Sequence, residues 1–159
     1  MNITIMSRKD AIQYCSHEHD NKTIIISISD PAMLYRTKPS KSKTNGVIDV
    51  LRLSFADADR AGMDIYGREV DETDLMTDDD ARKVVEFLNR YPNVDVIVHC
   101  DAGISRSSGV AAAISKYYTG SDKEIFNSFH YYPNMWCYRK TLEALMTQNG
   151  SDDQCCVAV

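Results

Sequence analysis

The pattern of apolar and polar residues predicts an α/β chain. It is read as one domain with a mainly parallel central sheet of four to five strands flanked by helices. Three observations carry that prediction. β-branched runs at 22–29, 47–55 and 94–100 have the continuous or alternating apolar character of sheet strands. Segments of helical period separate or follow them. The last of these strands leads directly into a glycine-containing loop that opens a helix of small residues, "HCDAGISRSSGVAAAISKYY".

Each element follows in chain order. "ITIMS" (3–7) reads as a first strand, and "RKDAIQYCSH" (8–17) as a short helix with Ala11, Ile12, Tyr14 and Cys15 partly inward. "KTIIISIS" (22–29) is apolar almost throughout, as a central strand covered on both faces requires. Pro31, Pro39, Gly46 and interspersed lysines make 30–46 a long surface loop. "VIDVLRLSF" (47–55) alternates as a third strand. The stretch 56–80 carries ten carboxylates against two arginines and reads as a solvated acidic loop. Thr77, with Asp80 three residues on, marks a helix start before Val84, Phe87, Leu88 and Tyr91. "VDVIVHC" (94–100) is a fourth strand. Helices are expected over 106–118, about 122–130 behind a Ser121 cap, and about 134–148, where Tyr138, Leu142, Leu145 and Met146 share a face.

With 159 residues the chain is long enough to bury one real core. The folded domain is expected to span 1–150, with 151–159 a flexible tail. A net charge of −5 argues against nucleic acid or an anionic membrane as partner. No run is apolar enough to cross a bilayer and the N-terminus lacks a secretory layout, so a cytoplasmic protein is expected. The five cysteines, Cys15, Cys100, Cys137, Cys155 and Cys156, follow neither disulfide-framework nor zinc spacing, and no metal or cofactor is indicated. Cys156 in the terminal "CCVAV" stands where a prenylated cysteine would. The residues before it are not basic and the last is Val, so a frayed tail is the preferred reading.

The loop 99–109 is the chemical centre of the sequence. A strand end meeting a helix start is where open parallel sheets bind ligands, and the free N–H groups and dipole of the helix favour an anion. Gly103 permits a positive φ or close backbone approach. Arg106 offers a planar fork to two phosphate oxygens. The same positive surroundings lower the pKa of the Cys100 thiol, and a thiolate beneath a bound phosphate is a nucleophile aimed at phosphorus.

"HCDAGISRSSG" resembles the H-C-x5-R-[ST] signature of the cysteine-dependent protein tyrosine phosphatases, and "AGISRS" is similar to their dual-specificity branch. The stretch Tyr138 to Ala144 is similar to small bacterial proteins of this type. The resemblance implies the phosphatase fold, with strand, phosphate loop and helix in sequence. It implies Cys100 as nucleophile, Arg106 as phosphate binder, and the amides of Asp101, Ala102, Gly103, Ile104, Ser105 and Arg106 as the cradle. Ser107 would hydrogen-bond the sulfur and ease its departure, and His99 would orient the loop from behind and support the thiolate.

Expelling an alkoxide or phenoxide calls for a general acid, worth roughly 10²–10⁴ in rate. The dual-specificity pattern of a short apolar strand, one residue, then Asp puts Asp57 in that role. Asp59 is the alternative and Asp64 a distant third. The implied activity is hydrolysis of phosphotyrosine, and of phosphoserine or phosphothreonine, in proteins through a phosphocysteine. Asp101 and Ile104 stand where related inositol-lipid phosphatases carry lysines, and with the acidic stretch they favour a phosphorylated peptide over a polyanion. A basic loop, 35–43, is a candidate contact for acidic residues beside the phosphosite. Cys137 is a candidate resolving thiol, though a buried structural cysteine is preferred. Two other readings use the same loop: a phosphate-binding module without turnover, and a sulfur transferase or arsenate reductase.

Overall fold

Four parallel strands set the architecture, and their register decides what lies beside the loop from Cys100 to Arg106. The computed structural model describes residues 1–33, 36–42, 44–64 and 67–148. The elements are β1 (Ile3–Ser7), α1 (Arg8–Cys15), β2 (Thr23–Ser29), β3 (Val47–Ser54), β4 (Gly62–Met63), β5 (Glu69–Val70), α2 (Asp78–Arg90), β6 (Asp95–Cys100), α3 (Arg106–Thr119), α4 (Lys123–Phe126) and α5 (Met135–Thr147). The main sheet has the order β1-β6-β2-β3, with every pairing parallel. The expected α/β class, strand count and parallel sense hold. The tail 151–159, with Cys156, lies outside the described residues.

β2 is buried along its whole length because both faces are covered. Ile24, Ile26 and Ile28 join Val96, Val98, Leu53 and Phe55 in the main core under α2, α3 and α5. Ile25 and Ile97 point the other way, into a smaller core with Met6, Tyr14 and Cys15 beneath α1. Each fully buried isoleucine contributes about 1.5–3 kcal/mol, which explains why β2 is so uniformly aliphatic. The alternation places Cys100 on the α3 side of β6 and His99 on the α1 side.

Thr77 caps α2 as its sequence predicts: its hydroxyl accepts from the Asp80 N–H at 3.1 Å, and the Asp80 carboxylate accepts from the Thr77 N–H at 2.9 Å. Three expectations need correction. The acidic stretch is not simply solvated. It forms the small antiparallel β4–β5 pair and a 3-10 turn at Glu72–Asp74, and it sinks Val70, Leu75 and Met76 into the core. The helix expected over 122–130 is only the short α4. The chain after it is diverted so that the Tyr132 and Asn134 amides reach the Ile104 and Ser105 carbonyls. Met146 is exposed, because Leu145, one position and about 100° away, takes the core-facing place on α5.

α3 and α5 cross at Gly109, where a Cβ would sit 2.4 Å from the Asn134 carbonyl oxygen. Gly109→Ala is therefore expected to lower stability. Overpacking costs about 1–3 kcal/mol, more than the roughly 1 kcal/mol that alanine gains in a helix interior. Urea unfolding checks this: a midpoint equal to or above the parent's would contradict so close a crossing.

Candidate active site

β6 ends at Cys100 and α3 begins at Arg106, so the intervening turn caps the carboxyl edge of the sheet. Gly103 makes the turn possible. Its φ is +73°, and a Cβ there would lie 2.6 Å from the Met6 carbonyl carbon and the Ser7 amide nitrogen, at the corner between β1 and α1. The loop's carbonyls are held from outside. Asp101, Ile104 and Ser105 accept from the amides of Arg8 (3.2 Å), Tyr132 (2.9 Å) and Asn134 (3.1 Å). With these carbonyls turned out, the amides of Gly103 and Ser107 act on the Cys100 sulfur. No side chain caps the start of α3, which leaves its N-terminal N–H groups to face the turn.

Cys100 is buried at 2% exposure, and its sulfur lies 3.2 Å from the Ser107 hydroxyl. Burial alone pushes the thiol pKa up. The Ser107 hydroxyl and amide, the Arg106 charge and the Gly103 amide together outweigh it, and the thiol titrates below its ordinary value. At Cys137, packed in α5 against Gly109, burial comes first and the Asp57 and Asp59 charges add to it, outweighing Arg106, so its thiol is pushed well up. It has the environment of a structural cysteine.

Arg106 is also almost wholly buried. Nη1 donates to the Phe55 carbonyl (2.8 Å) and Nη2 to Asp101 Oδ2 (3.2 Å). Nε has no hydrogen-bond partner among the described residues and lies 3.7 Å from Asp57 Oδ2. The guanidinium is thus fixed from two sides, with its Nε N–H and one N–H of each terminal nitrogen outside those two bonds.

The three candidate acids separate cleanly. Asp57 overlooks the cavity that holds Cys100, and its Oδ1 accepts from Ser105 Oγ (2.7 Å) and Asn134 Nδ2 (3.1 Å). Asp59 is turned away to the start of α5, where it accepts from the amides of Met135 (3.0 Å) and Trp136 (3.4 Å). Asp64 reaches the cavity wall but is tied to the amide and Nε of Arg68.

His99 is fully buried behind the loop. The Cys100 carbonyl can only accept, so Nδ1 carries the proton (3.2 Å) and Nε2 accepts from the Ser27 hydroxyl (2.8 Å). Burial lowers its pKa to about 4, helped by Arg8 and Arg52. A neutral imidazole can orient the loop but offers the thiolate no charge.

Residues that sequence reasoning passed over complete the cavity, of about 670 Å³. Asp30, at the end of β2, shares its walls with Arg36 and Arg68. Burial raises the Asp30 pKa, but the Ala32 amide, Arg68 and Arg106 lower it further, so it is held as carboxylate. Arg8 pairs with Asp101 from the first turn of α1. The parallel strand ends were the signal that could have found both Asp30 and Arg8. The Asn45 side chain holds the end of the 30–46 loop, accepting from the Ser42 and Val47 amides and donating to the Cys15 and Ser40 carbonyls. Trp136 is structural, donating to the Met76 carbonyl at 2.9 Å. Among the described residues there is no His, Cys, Asp and Glu cluster able to hold a metal ion, and no helix long and apolar enough to cross a membrane.

No protein-family model and no curated protein matches the chain. Solved structures do. PTPMT1 in complex with PI(5)P superposes with a TM-score of 0.56 at 18% identity, over 95% of this chain and 94% of that one. Human DUSP28 does so with 0.53 at 16%, over 94% of each. The human tyrosine phosphatase-like serine/threonine/tyrosine-interacting protein gives 0.54 at 17%, over 95% of this chain and 93% of its own. The fold is that of the dual-specificity phosphatases. In that fold, the strand–loop–helix unit of this chain is the turn from β6 through Cys100 to α3.

Thiol reactivity tests the electrostatics directly. Cys100 is expected to be carboxymethylated by iodoacetate at neutral pH well before Cys15 or Cys137, and phosphate should protect it. Its pH profile should shift upward in Ser107→Ala, because the thiolate loses a donor. Peptide mapping by mass spectrometry would show the opposite, Cys100 reacting no faster than Cys15, if the loop did not stabilise the thiolate.

Proposed function

We propose that the chain is a cysteine-dependent phosphomonoesterase acting on phosphorylated proteins. The observation that carries this reading is the conjunction at one cavity of a thiol lowered in pKa, a fixed guanidinium and a carboxylate facing both. In the reading, the phosphate of the substrate docks on the loop amides 101–106 and on Arg106. The Cys100 thiolate attacks phosphorus, and the P–O bond to the leaving group breaks as protonated Asp57 gives its proton to the leaving oxygen. The carboxylate so formed takes a proton from water, which attacks the phosphocysteine. The S–P bond then breaks, with the Ser107 hydroxyl hydrogen-bonding the departing thiolate. Phosphate leaves and the cycle closes without a metal or cofactor.

The same amides and guanidinium would serve a module that binds phosphate without hydrolysing it. What favours that second reading is the Asp101–Arg106 pair, a contact that a bound phosphate would compete with. Turnover separates the two. p-Nitrophenyl phosphate is expected to be hydrolysed in the presence of a chelator, and Cys100→Ser should abolish turnover while still binding phosphate or tungstate. Phosphopeptide binding by the parent chain with no hydrolysis would select the module instead. Thiosulfate and arsenate, assayed in parallel, address the sulfur-transfer and arsenate-reduction readings.

The acid is assigned by a pair of variants. Asp57→Asn is expected to lower kcat by about 10²–10⁴-fold and to flatten the basic limb of the pH profile, since that limb reports loss of the acid's proton as pH rises. Asp59→Asn should leave kcat near the parent value and lower thermal stability slightly, because it removes a negative charge from the N-terminus of α5. The reverse pattern would move the acid to Asp59.

A further inference from the structure

A second cavity, of about 570 Å³, adjoins the one above Cys100 and shares Asp101 and Arg36 with it. Its other charged lining comes from Arg8 and Lys9, the first two residues of α1. The register explains the position. Ser7 pairs with Cys100, so the residues that follow each, Arg8 and Asp101, emerge side by side at the sheet edge.

The charges of this second cavity do not cancel. Arg8, Lys9 and Arg36 face one carboxylate, Asp101, whose charge is already shared between Arg8 and Arg106. Asp10, the next acid along α1, is engaged at the helix start: its carboxylate accepts from the Ser7 hydroxyl (2.6 Å), and its amide donates to the same hydroxyl oxygen (3.1 Å). Among the described residues no carboxylate pairs with Lys9 or Arg36. On the far side of the catalytic cavity the balance is different, because Arg68 ties Asp30 and Asp64 together. The mouth is therefore polarised, cationic toward α1 and acidic toward β4–β5.

We propose that the α1-side cavity binds a second anionic group carried by the same phosphopeptide whose phosphate enters the Cys100 loop, and so sets substrate preference. The inference rests on the proposed phosphoprotein reading. The anion is a carboxylate of a flanking Asp or Glu, or a second phosphate; both suit arginine and lysine. A polypeptide fits this one-sided mouth, which presents the half-exposed Ile104 and the exposed Tyr132 beside the loop. A headgroup charged on all sides would meet the Asp30 and Asp64 wall.

Binding to the full-length Cys100→Ser chain tests the proposal apart from turnover. Fluorescein-labelled phosphotyrosyl peptides with flanking glutamates, with a nearby phosphothreonine, or with flanking alanines are titrated by anisotropy. One or both anionic peptides should bind about three- to tenfold tighter than the alanine peptide at low salt, the gain expected of two partly exposed ion pairs, and should lose this advantage at high salt. Comparing the first two peptides identifies which anion is preferred. Adding Lys9→Glu or Arg36→Glu should erase the advantage, and Lys9→Glu in the parent chain should leave p-nitrophenyl phosphate turnover unchanged. Equal affinity for all three peptides, or an advantage that survives both charge reversals, would overturn the proposal. Arg36-dependent binding to phosphoinositide vesicles in preference to every peptide would overturn its assignment to a polypeptide. A chain that binds the peptides in this order but never hydrolyses p-nitrophenyl phosphate would leave the subsite standing and remove the enzymatic reading.

Discussion

In the sheet, Ser7 lies opposite Cys100 and Ser27 opposite His99, because β6 is paired in parallel on both its edges. All four strands consequently end on the same side, and each chain that leaves them must turn there. The Cys100 loop is built from that crowding. Its glycine has no room for a side chain against the Met6–Ser7 backbone, its outward carbonyls are bonded by neighbouring segments, and its histidine is locked to β2 from behind. A loop held at so many backbone points keeps its amides aimed without needing a ligand to organise them, which is the condition for electrostatic preorganisation.

Within that frame two opposing effects meet at the sulfur. Removal from water favours the neutral thiol, as the raised pKa of Cys137 demonstrates a short distance along the core. At Cys100 the donors and the guanidinium reverse the balance. At His99 burial and the Arg8 and Arg52 charges act in the same direction and outweigh the Cys100 carbonyl, so the imidazole is neutral. Three buried titratable groups close to one loop thus adopt different protonation tendencies for reasons that can be named atom by atom.

Charge around the cavity is organised by pairing more than by number. The acidic stretch that dominates the composition of 56–80 is largely spent on structure: Thr77 and Asp80 start α2, Asp59 starts α5, and Asp64 holds Arg68. Asp57 lines the cavity that holds Cys100, kept in place there by Ser105 and Asn134. A net charge of −5 therefore says little about the field at the mouth, where Arg8, Lys9 and Arg36 gather on the α1 side.

By itself the sequence determined the α/β class, the order and approximate ends of the long elements, the Thr77 helix start, and the strand–loop–helix carrying Cys100, Arg106 and Ser107. These are local signals, written in hydrophobic period, capping residues and spacing within a dozen positions. Asp57 was reached by the spacing of one strand end, and Asp59 could not be separated from it, since two aspartates two residues apart differ only in what their side chains meet. The tertiary structure separates their surroundings, turning Asp59 onto the amides of α5 and Asp57 over the cavity. It also decided the truncation of α4, the burial of Val70, Leu75 and Met76, and the meeting of Arg8 with Asp101. Each depends on contacts between segments far apart in the chain, and above all on a parallel register that brings residue 8 beside residue 101, which no local pattern encodes.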